Sequence, residues 1–315
     1  MSLSVVSHKG VVERDIDIKP MINENFNPIQ LIHLSKTDYE NEIICSYVTN
    51  KYDLFFVIIN IENETISKII KYGNTYPPYN VKQGLYNIKN ENFILSLDYS
   101  SYFKENVTVD SSLNTFLVID KKGNEIGKYG YPNAIFQRYK ISKVSSSKMY
   151  IDDKGNLYRI QSPSKVLNIY DTEYNLVKQM EMSFDDTYRM PNCDLESTGD
   201  IFKNWISWNG KVNYCRELHV NHDDKEIFVI YSIVDYPDGI VDPHSDLATR
   251  HLFLHKSDFS GNNKFGKDIE IPSQSTCLIF DNNNITLLEK IDNSFDIVEY
   301  EILVGKKDQS LNSSK

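Results

Sequence analysis

Phe116-Leu117-Val118-Ile119-Asp120-Lys121-Lys122-Gly123-Asn124-Glu125-Ile126-Gly127-Lys128-Tyr129-Gly130 reads as a strand, a tight polar turn and a second strand. The Asp-Lys-Lys-Gly-Asn stretch has the residue types a hairpin turn needs, with Gly123 free to take positive φ. An earlier stretch repeats it: Phe55-Phe56-Val57-Ile58-Ile59-Asn60 leads through Ile66 to Lys71-Tyr72-Gly73. From Lys71 to Lys128 is a step of 57 residues, and a Tyr-Pro follows each triplet, at Tyr76-Pro77 and Tyr131-Pro132. A third copy is Val166-Leu167-Asn168-Ile169-Tyr170-Asp171 with Asn175-Leu176-Val177, Asp171 lying 51 residues after Asp120. A period in the fifties is one supersecondary unit repeated.

Outward from each hairpin lie further strand-like runs. Glu42-Ile43-Ile44-Cys45 precedes the first and Phe93-Ile94-Leu95-Ser96-Leu97 the second, while Met149-Tyr150-Ile151 and Gly155-Asn156-Leu157-Tyr158 precede the third. Four short strands per unit is the pattern of a β-propeller blade. Strands covered on both faces need not alternate, which accounts for the unbroken apolar run 55–59. A fourth unit holds Glu226-Ile227-Phe228-Val229-Ile230 and His251-Leu252-Phe253-Leu254. A fifth holds Cys277–Phe280, Ile285–Leu288 and Phe295–Ile302, which is three strands. The orphan strand in residues 11–18 is expected to complete that last blade, because a ring gains by leaving no edge unpaired. The fold expected is therefore an all-β propeller of five blades, spanning about 21–75, 82–132, 138–184, 190–273 and 275–305 plus 11–18. Together they make one domain over 11–305, with flexible tails at 1–10 and 306–315. Six blades is the alternative, since residues 185–215 have room for a degenerate extra one.

Asp153-Lys154-Gly155-Asn156-Leu157-Tyr158, followed by Leu167-Asn168-Ile169-Tyr170-Asp171 and Asn175-Leu176-Val177, resembles the repeat of NHL- and TolB-like propellers, in which a D-x-x-G-N-L-Y hairpin precedes an apolar strand ending in Tyr-Asp. Leu287-Leu288 through Phe295-Asp296-Ile297-Val298-Glu299-Tyr300-Glu301 is similar to the end of six-bladed TolB-like (lipo)proteins of unknown function encoded in Bacteroidetes. The resemblance implies a propeller and a place in the periplasm or cell envelope, or outside the cell. It concerns fold-forming positions and carries no activity, because one fold hosts many functions. Residues 1–9 lack the apolar core of a signal peptide, so export is expected to depend on a signal ahead of this chain; a cytoplasmic home is the other option.

Composition narrows the function classes. In 315 residues there are 21 Tyr and 15 Phe, whereas Ala134 and Ala248 are the only alanines, which argues against an all-α protein. No apolar run approaches the roughly 20 residues a membrane-spanning helix needs. Thirty-four basic against 44 acidic residues give a net charge of −10. Arg138, Lys140, Lys143 and Lys148 read as one solvated strand face rather than a phosphate footprint, so nucleic acid is not expected as a partner. The four cysteines form no CxxC pair; Cys45 and Cys277 sit in apolar runs and read as buried thiols, and Cys193 and Cys215 flank one irregular segment where pairing stays open. No cofactor or metal is expected, and the chain is expected to be a monomer.

Segment 185–246 carries the unusual chemistry. Trp205 and Trp208 lie before the Asn209-Gly210 turn, with Tyr214 after it. Their aromatic rings suit either a platform for a sugar or peptide at the channel mouth or the packing between blades, and packing takes precedence because aromatics are large apolar surfaces first. Asp235, Asp238, Asp242, His244 and Asp246 fall in a Pro/Gly-rich loop, but their spacing matches no defined metal loop. His219 and His222, three apart on a strand, face opposite sides, unlike a helical zinc pair. No GxSxG, HExxH or P-loop occurs. The leading expectation is a non-enzymatic propeller binding a protein or glycan at its long-loop face, through Trp205, Trp208, Tyr214, Asp242 and His244. The rival is a five-bladed glycoside hydrolase using Asp242 with carboxylates from other blades. A scaffold in an envelope complex is the third option.

Overall fold

The computed structural model describes residues 2–6, 12–17, 28–36, 41–49, 53–74, 80–98, 114–133, 147–188, 213–235, 249–273, 275–281, 284–291, 294–302 and 311–313. Among them every regular element is a strand. A hairpin pairs β1 (Ser2–Val6) with β2 (Val12–Asp17). Five four-stranded sheets follow, each with its strands side by side in chain order. The first contains β3 (Pro28–Lys36), β4 (Glu42–Thr49), β5 (Asp53–Asn60) and β6 (Thr65–Asn74). The second contains β7 (Asn80–Asn87), β8 (Asn92–Asp98), β9 (Phe116–Asp120) and β10 (Glu125–Tyr129). The third contains β11 (Ser147–Ile151), β12 (Leu157–Gln161), β13 (Val166–Tyr170) and β14 (Leu176–Glu181). The fourth contains β15 (Tyr214–Asn221), β16 (Glu226–Asp235), β17 (Thr249–Asp258) and β18 (Ile269–Ile271). The fifth contains β19 (Ser275–Asp281), β20 (Asn284–Ile291), β21 (Ser294–Ile302) and β22 (Leu311–Ser313). Four-stranded meanders following one another along the chain are the pattern that propeller blades have.

Two expectations about the termini are corrected. The fifth sheet takes its fourth strand from Leu311–Ser313, not from residues 11–18. The strand Val12–Asp17 pairs instead with Ser2–Val6, so residues 2–6 and 311–313 are strands rather than flexible tails. Both pairings are local in sequence, and a short loop costs less closure entropy than joining the two ends of the chain.

By its internal contacts the chain divides into two compact units, residues 1–157 with 170–176, and residues 158–169 with 177–315. In the first unit the leading strands of consecutive sheets are neighbours, β3 beside β7 and β7 beside β11. The Gln83 side-chain amide joins two of them: its Nε2 donates to the Met149 carbonyl at 3.1 Å and its Oε1 accepts from the Met149 N–H at 2.9 Å. The Phe56 and Phe93 rings stack between the first and second sheets with centroids 3.9 Å apart. Ile94, Phe116, Val118, Met149, Leu157, Tyr170 and Tyr174 form one buried cluster. β9 is buried almost throughout, whereas the outermost β10 is largely exposed, as expected when only inner strands are covered on both faces. In the second unit, eight consecutive residues of β16 are buried, and Phe228, Ile230, Leu252 and Leu254 pack with Ile285 and Leu287 of the fifth sheet.

The repeated hairpins share one turn design. Asp120, Asp152, Asp171 and Asp258 each accept the backbone N–H groups two and four residues on, and the Nδ2 of the Asn four residues on. The motif in the third sheet therefore starts at Asp152, one residue before the Asp153 quoted above. Donation to the charged form lowers three of these carboxyls, led by the Asn124 amide at Asp120 and the Asn262 amide at Asp258. At Asp171 burial pushes the other way and is outweighed by the Asn175 and Glu173 donors. The fourth turn residue takes positive φ: Gly123 at 92°, Gly155 at 86°, Gly261 at 87° and Tyr174 at 66°.

These outer turns also latch neighbouring sheets. The carbonyl after the turn Asp accepts from the preceding sheet three times over: Lys121 from Lys68 Nζ at 3.1 Å, Thr172 from Asn90 Nδ2 at 2.6 Å, and Phe259 from Lys178 Nζ at 2.8 Å. The close approach needs glycine as well as the φ does. A Cβ at Gly123 would sit 2.6 Å from the Lys71 carbonyl oxygen, and one at Gly261 would run into the Glu181 carbonyl.

Candidate functional site

The Asn221 and Asp258 turns close one end of the fourth sheet. At the other end β15 begins at Tyr214, β16 finishes at Asp235 and β17 begins at Thr249, the register pairing Tyr214 with Ser232 and Asp235 with Thr249. Segments 189–212 and 236–248 join the described strands at that end. Trp205, Trp208, Asp242 and His244 lie in them, outside the described residues, as do Cys193, Asp238 and Asp246. Of the five expected ligand contacts, Tyr214 alone is placed. It is half-buried at the start of β15.

The same sheet end carries charged groups that are sorted by face. Strand residues directly opposite each other, and residues two apart, share a face. One face holds Asp235, His251 and Glu270. His251 Nδ1 is 2.7 Å from Glu270 Oε1, and its Nε2 is 3.6 Å from Asp235 Oδ2. The imidazole lies beside the Phe253 ring, which stacks in turn on Tyr231 at 5.4 Å. The other face holds Tyr214, Ser232 and Arg250, and further along it Glu217, by register. A bulge between Cys215 and Glu217 inserts Arg216 and turns it to this face, where its Nε donates to Ser232 Oγ at 2.8 Å. Burial holds the Arg216 guanidinium below its usual pKa, and the positive Arg250 adds to that; Tyr214, Glu217 and Cys215 push the other way.

A glycosidase presents two carboxyl groups across the scissile bond. Here Asp235 and Glu270 both address one imidazole. Asp235 had been singled out in the sequence within the acidic loop; Arg216, Ser232, Arg250, His251 and Glu270 had not.

A second polar cluster lies deeper in the same sheet. Asp268 accepts from His255 Nδ1 at 2.7 Å, Asn263 Nδ2 at 2.9 Å and the Tyr231 hydroxyl at 2.7 Å, and its backbone N–H donates to Asp185 Oδ2 at 2.8 Å. Thr187 Oγ1 donates to Asp185 and lies 2.6 Å from the Tyr231 hydroxyl. Burial, then the Asp268 charge, push the Tyr231 phenol far above its ordinary pKa. His255 and Tyr231 have no exposed surface, so no substrate reaches this network; it ties residues 185–187 to the sheet. His219 is lowered by burial to about 4 beside Phe228, whereas His222 meets Tyr158 and Phe259. The two histidines thus serve different surroundings. Cys45 and Cys215 are both buried. Among the described residues no group of three or more His, Cys, Asp or Glu is placed to hold a metal ion, and no helix is long and apolar enough to cross a membrane.

Among solved structures, the chain is similar to a "putative exported protein" from Bacteroides fragilis, with TM-score 0.54 and 14% identity over 91% of this chain and 73% of that one. It is also similar to a member of the DUF4221 family from Bacteroides vulgatus, with TM-score 0.47 and 9% identity over 84% of this chain and 90% of that one. A third is the β-propeller domain of the Trilobed protease from Pyrococcus furiosus, with TM-score 0.38 and 11% identity over 89% and 70%. No protein-family model matches the chain. No curated protein matches it either. The Bacteroides fragilis likeness agrees with the resemblance to Bacteroidetes proteins of unknown function. At 14% identity the Bacteroides fragilis likeness is one of fold alone.

Proposed function

We propose that this chain is a non-enzymatic binding module of the bacterial cell envelope, its five sheets acting as blades of one propeller. The ligand, a glycan or a peptide, is taken at the end of the fourth sheet from which segments 189–212 and 236–248 depart. The observation that carries this reading is the sorted sheet end: His251 engaged by both nearby carboxylates on one face, and Tyr214 with two guanidiniums on the other. Such a surface offers donors, acceptors and one aromatic ring without a carboxyl pair arranged for hydrolysis. Trp205, Trp208, Asp242 and His244, named from the sequence as further contacts, belong to the segments that continue the chain from these strand ends. The likeness to an exported protein supports the envelope location.

A glycan and peptide array, probed with and without chelator, tests the proposal. The wild-type protein retains a defined set of ligands, and Tyr214→Ala and His251→Ala lose them while keeping the wild-type melting curve. Turnover of an array glycan, or identical retention by both variants, overturns it.

A further inference from the structure

We infer that Arg216 and Arg250 form a subsite for the carboxylate of an acidic glycan, a uronic-acid oligosaccharide, at the loop-bearing end of the fourth sheet; this rests on the binding function proposed above. The bulge at Arg216 adds one residue to β15 and aims the guanidinium along the face of Ser232. Bulges commonly serve to re-aim a side chain. The bond from Nε to Ser232 Oγ fixes the plane of the fork and leaves the Nη groups, which donate to no side chain among the described residues. Arg250 stands opposite Val234, two residues along β16 from Ser232, so it shares that face; it is exposed and forms no ion pair among the described residues. Two strand spacings separate β15 from β17, about 10 Å, within reach of two long side chains leaning together.

The surrounding charges answer this pair only in part, through Glu217, which shares the face by its pairing with Ile230. Asp235 and Glu270 lie on the opposite face and engage His251. Glu217, next along β15, adds a partial counter-charge, yet the Arg216 guanidinium is still lowered by burial and by Arg250. In a chain of net charge −10, the half-buried Arg216 with the exposed Arg250 on its face is a costly arrangement that an anion relieves. A carboxylate fits best, because a planar fork meets it with two parallel hydrogen bonds. The rest of the face is suited to a sugar: Tyr214, opposite Ser232, offers a ring for the C–H face of a pyranose and a hydroxyl for its oxygens.

The test is calorimetric titration with trigalacturonate and with its fully methyl-esterified form, against the wild-type chain, Arg250→Ala and Arg216→Lys. Arg250 is exposed, so its truncation leaves the core intact; Arg216→Lys keeps the charge and removes the fork. The expected result is binding of the acid, weakened roughly 10-fold or more by esterification and by either substitution, and declining as salt rises. Equal affinity for acid and ester, unchanged binding by Arg250→Ala, or no binding of trigalacturonate overturns the inference. So does capture of a tetraglutamate peptide in place of the sugar acid, which would give the pair to a protein partner. Tyr214-dependent, Arg250-independent retention of a neutral ligand on the array would remove this subsite and leave the binding function standing.

Discussion

Gly123→Ala probes the contact on which the blade-to-blade latch depends. The position has φ +92°, where an alanine pays about 1–2 kcal/mol of left-handed strain. Its new Cβ would also stand 2.6 Å from the Lys71 carbonyl oxygen and 3.3 Å from Ile70 Cγ2, so the turn and β6 must separate. Forced overpacking of this kind costs about 1–3 kcal/mol. The loss of unfolded-chain entropy returns only about 0.4–1 kcal/mol. The net expectation is a loss of about 3 kcal/mol, read as a fall of about 1 M in the urea midpoint for a chain of this size. Gly266→Ala supplies the control, for Gly266 has φ +74° but nothing within 4 Å of its would-be Cβ. It bears the strain alone and is expected to cost about 1 kcal/mol. If the two variants fall within about 0.5 kcal/mol of each other, the sheets do not meet at this turn and the latch is wrong.

Tyr231→Phe deletes one donor to the buried Asp268 carboxylate and the polar contact with Thr187, and is expected to lower stability by about 2 kcal/mol in urea titration, with a loss under 0.5 kcal/mol counting against the network. The pH dependence of stability isolates His219. Its pKa is 6.5 when free and about 4 in place, so the unfolded chain holds the extra proton between those values. Its contribution is whole above pH 6.5 and is lost as pH falls toward 4. Discounted for partial exposure, the loss is about 2 kcal/mol, and His219→Gln is expected to flatten the stability curve in that window. An unchanged slope in the variant would exclude burial of this imidazole.

What the sequence revealed was what local chemistry writes into it. The repeated strand–turn–strand stretches are the outer hairpins β5–β6, β9–β10 and β13–β14, because apolar runs and the polar turns opened by Asn60, Asp120 and Asp171 act within fifteen residues. The turn at Asp171 was matched despite Tyr174 standing where the Asp120 turn has Gly123; its ring is buried and its hydroxyl donates to Asn92 Oδ1, which holds the φ of 66° in place. The latches were invisible, since a backbone carbonyl has no letter in the sequence. Closure of the last sheet was misread because any short alternating segment suits any free edge, and only distance along the chain favoured β22. In the site, Tyr214 was flagged as an aromatic. Arg216 was missed because a bulge obeys no alternation, and the His251 cluster because Asp235 and Glu270 meet it only through strand register. The remaining four candidates lie outside the described residues.

The latch has a direction. In all three cases the donor belongs to the earlier sheet and the accepting carbonyl to the one made next. A nascent chain leaving the ribosome would thus find the docking partner of the second, third and fourth sheets already waiting, so each of these locks on arrival, without searching for sequence not yet synthesised. Swapping the order of two blades by circular shuffling would break that sequence of events while keeping every residue, and would be expected to slow refolding less than it lowers yield during synthesis.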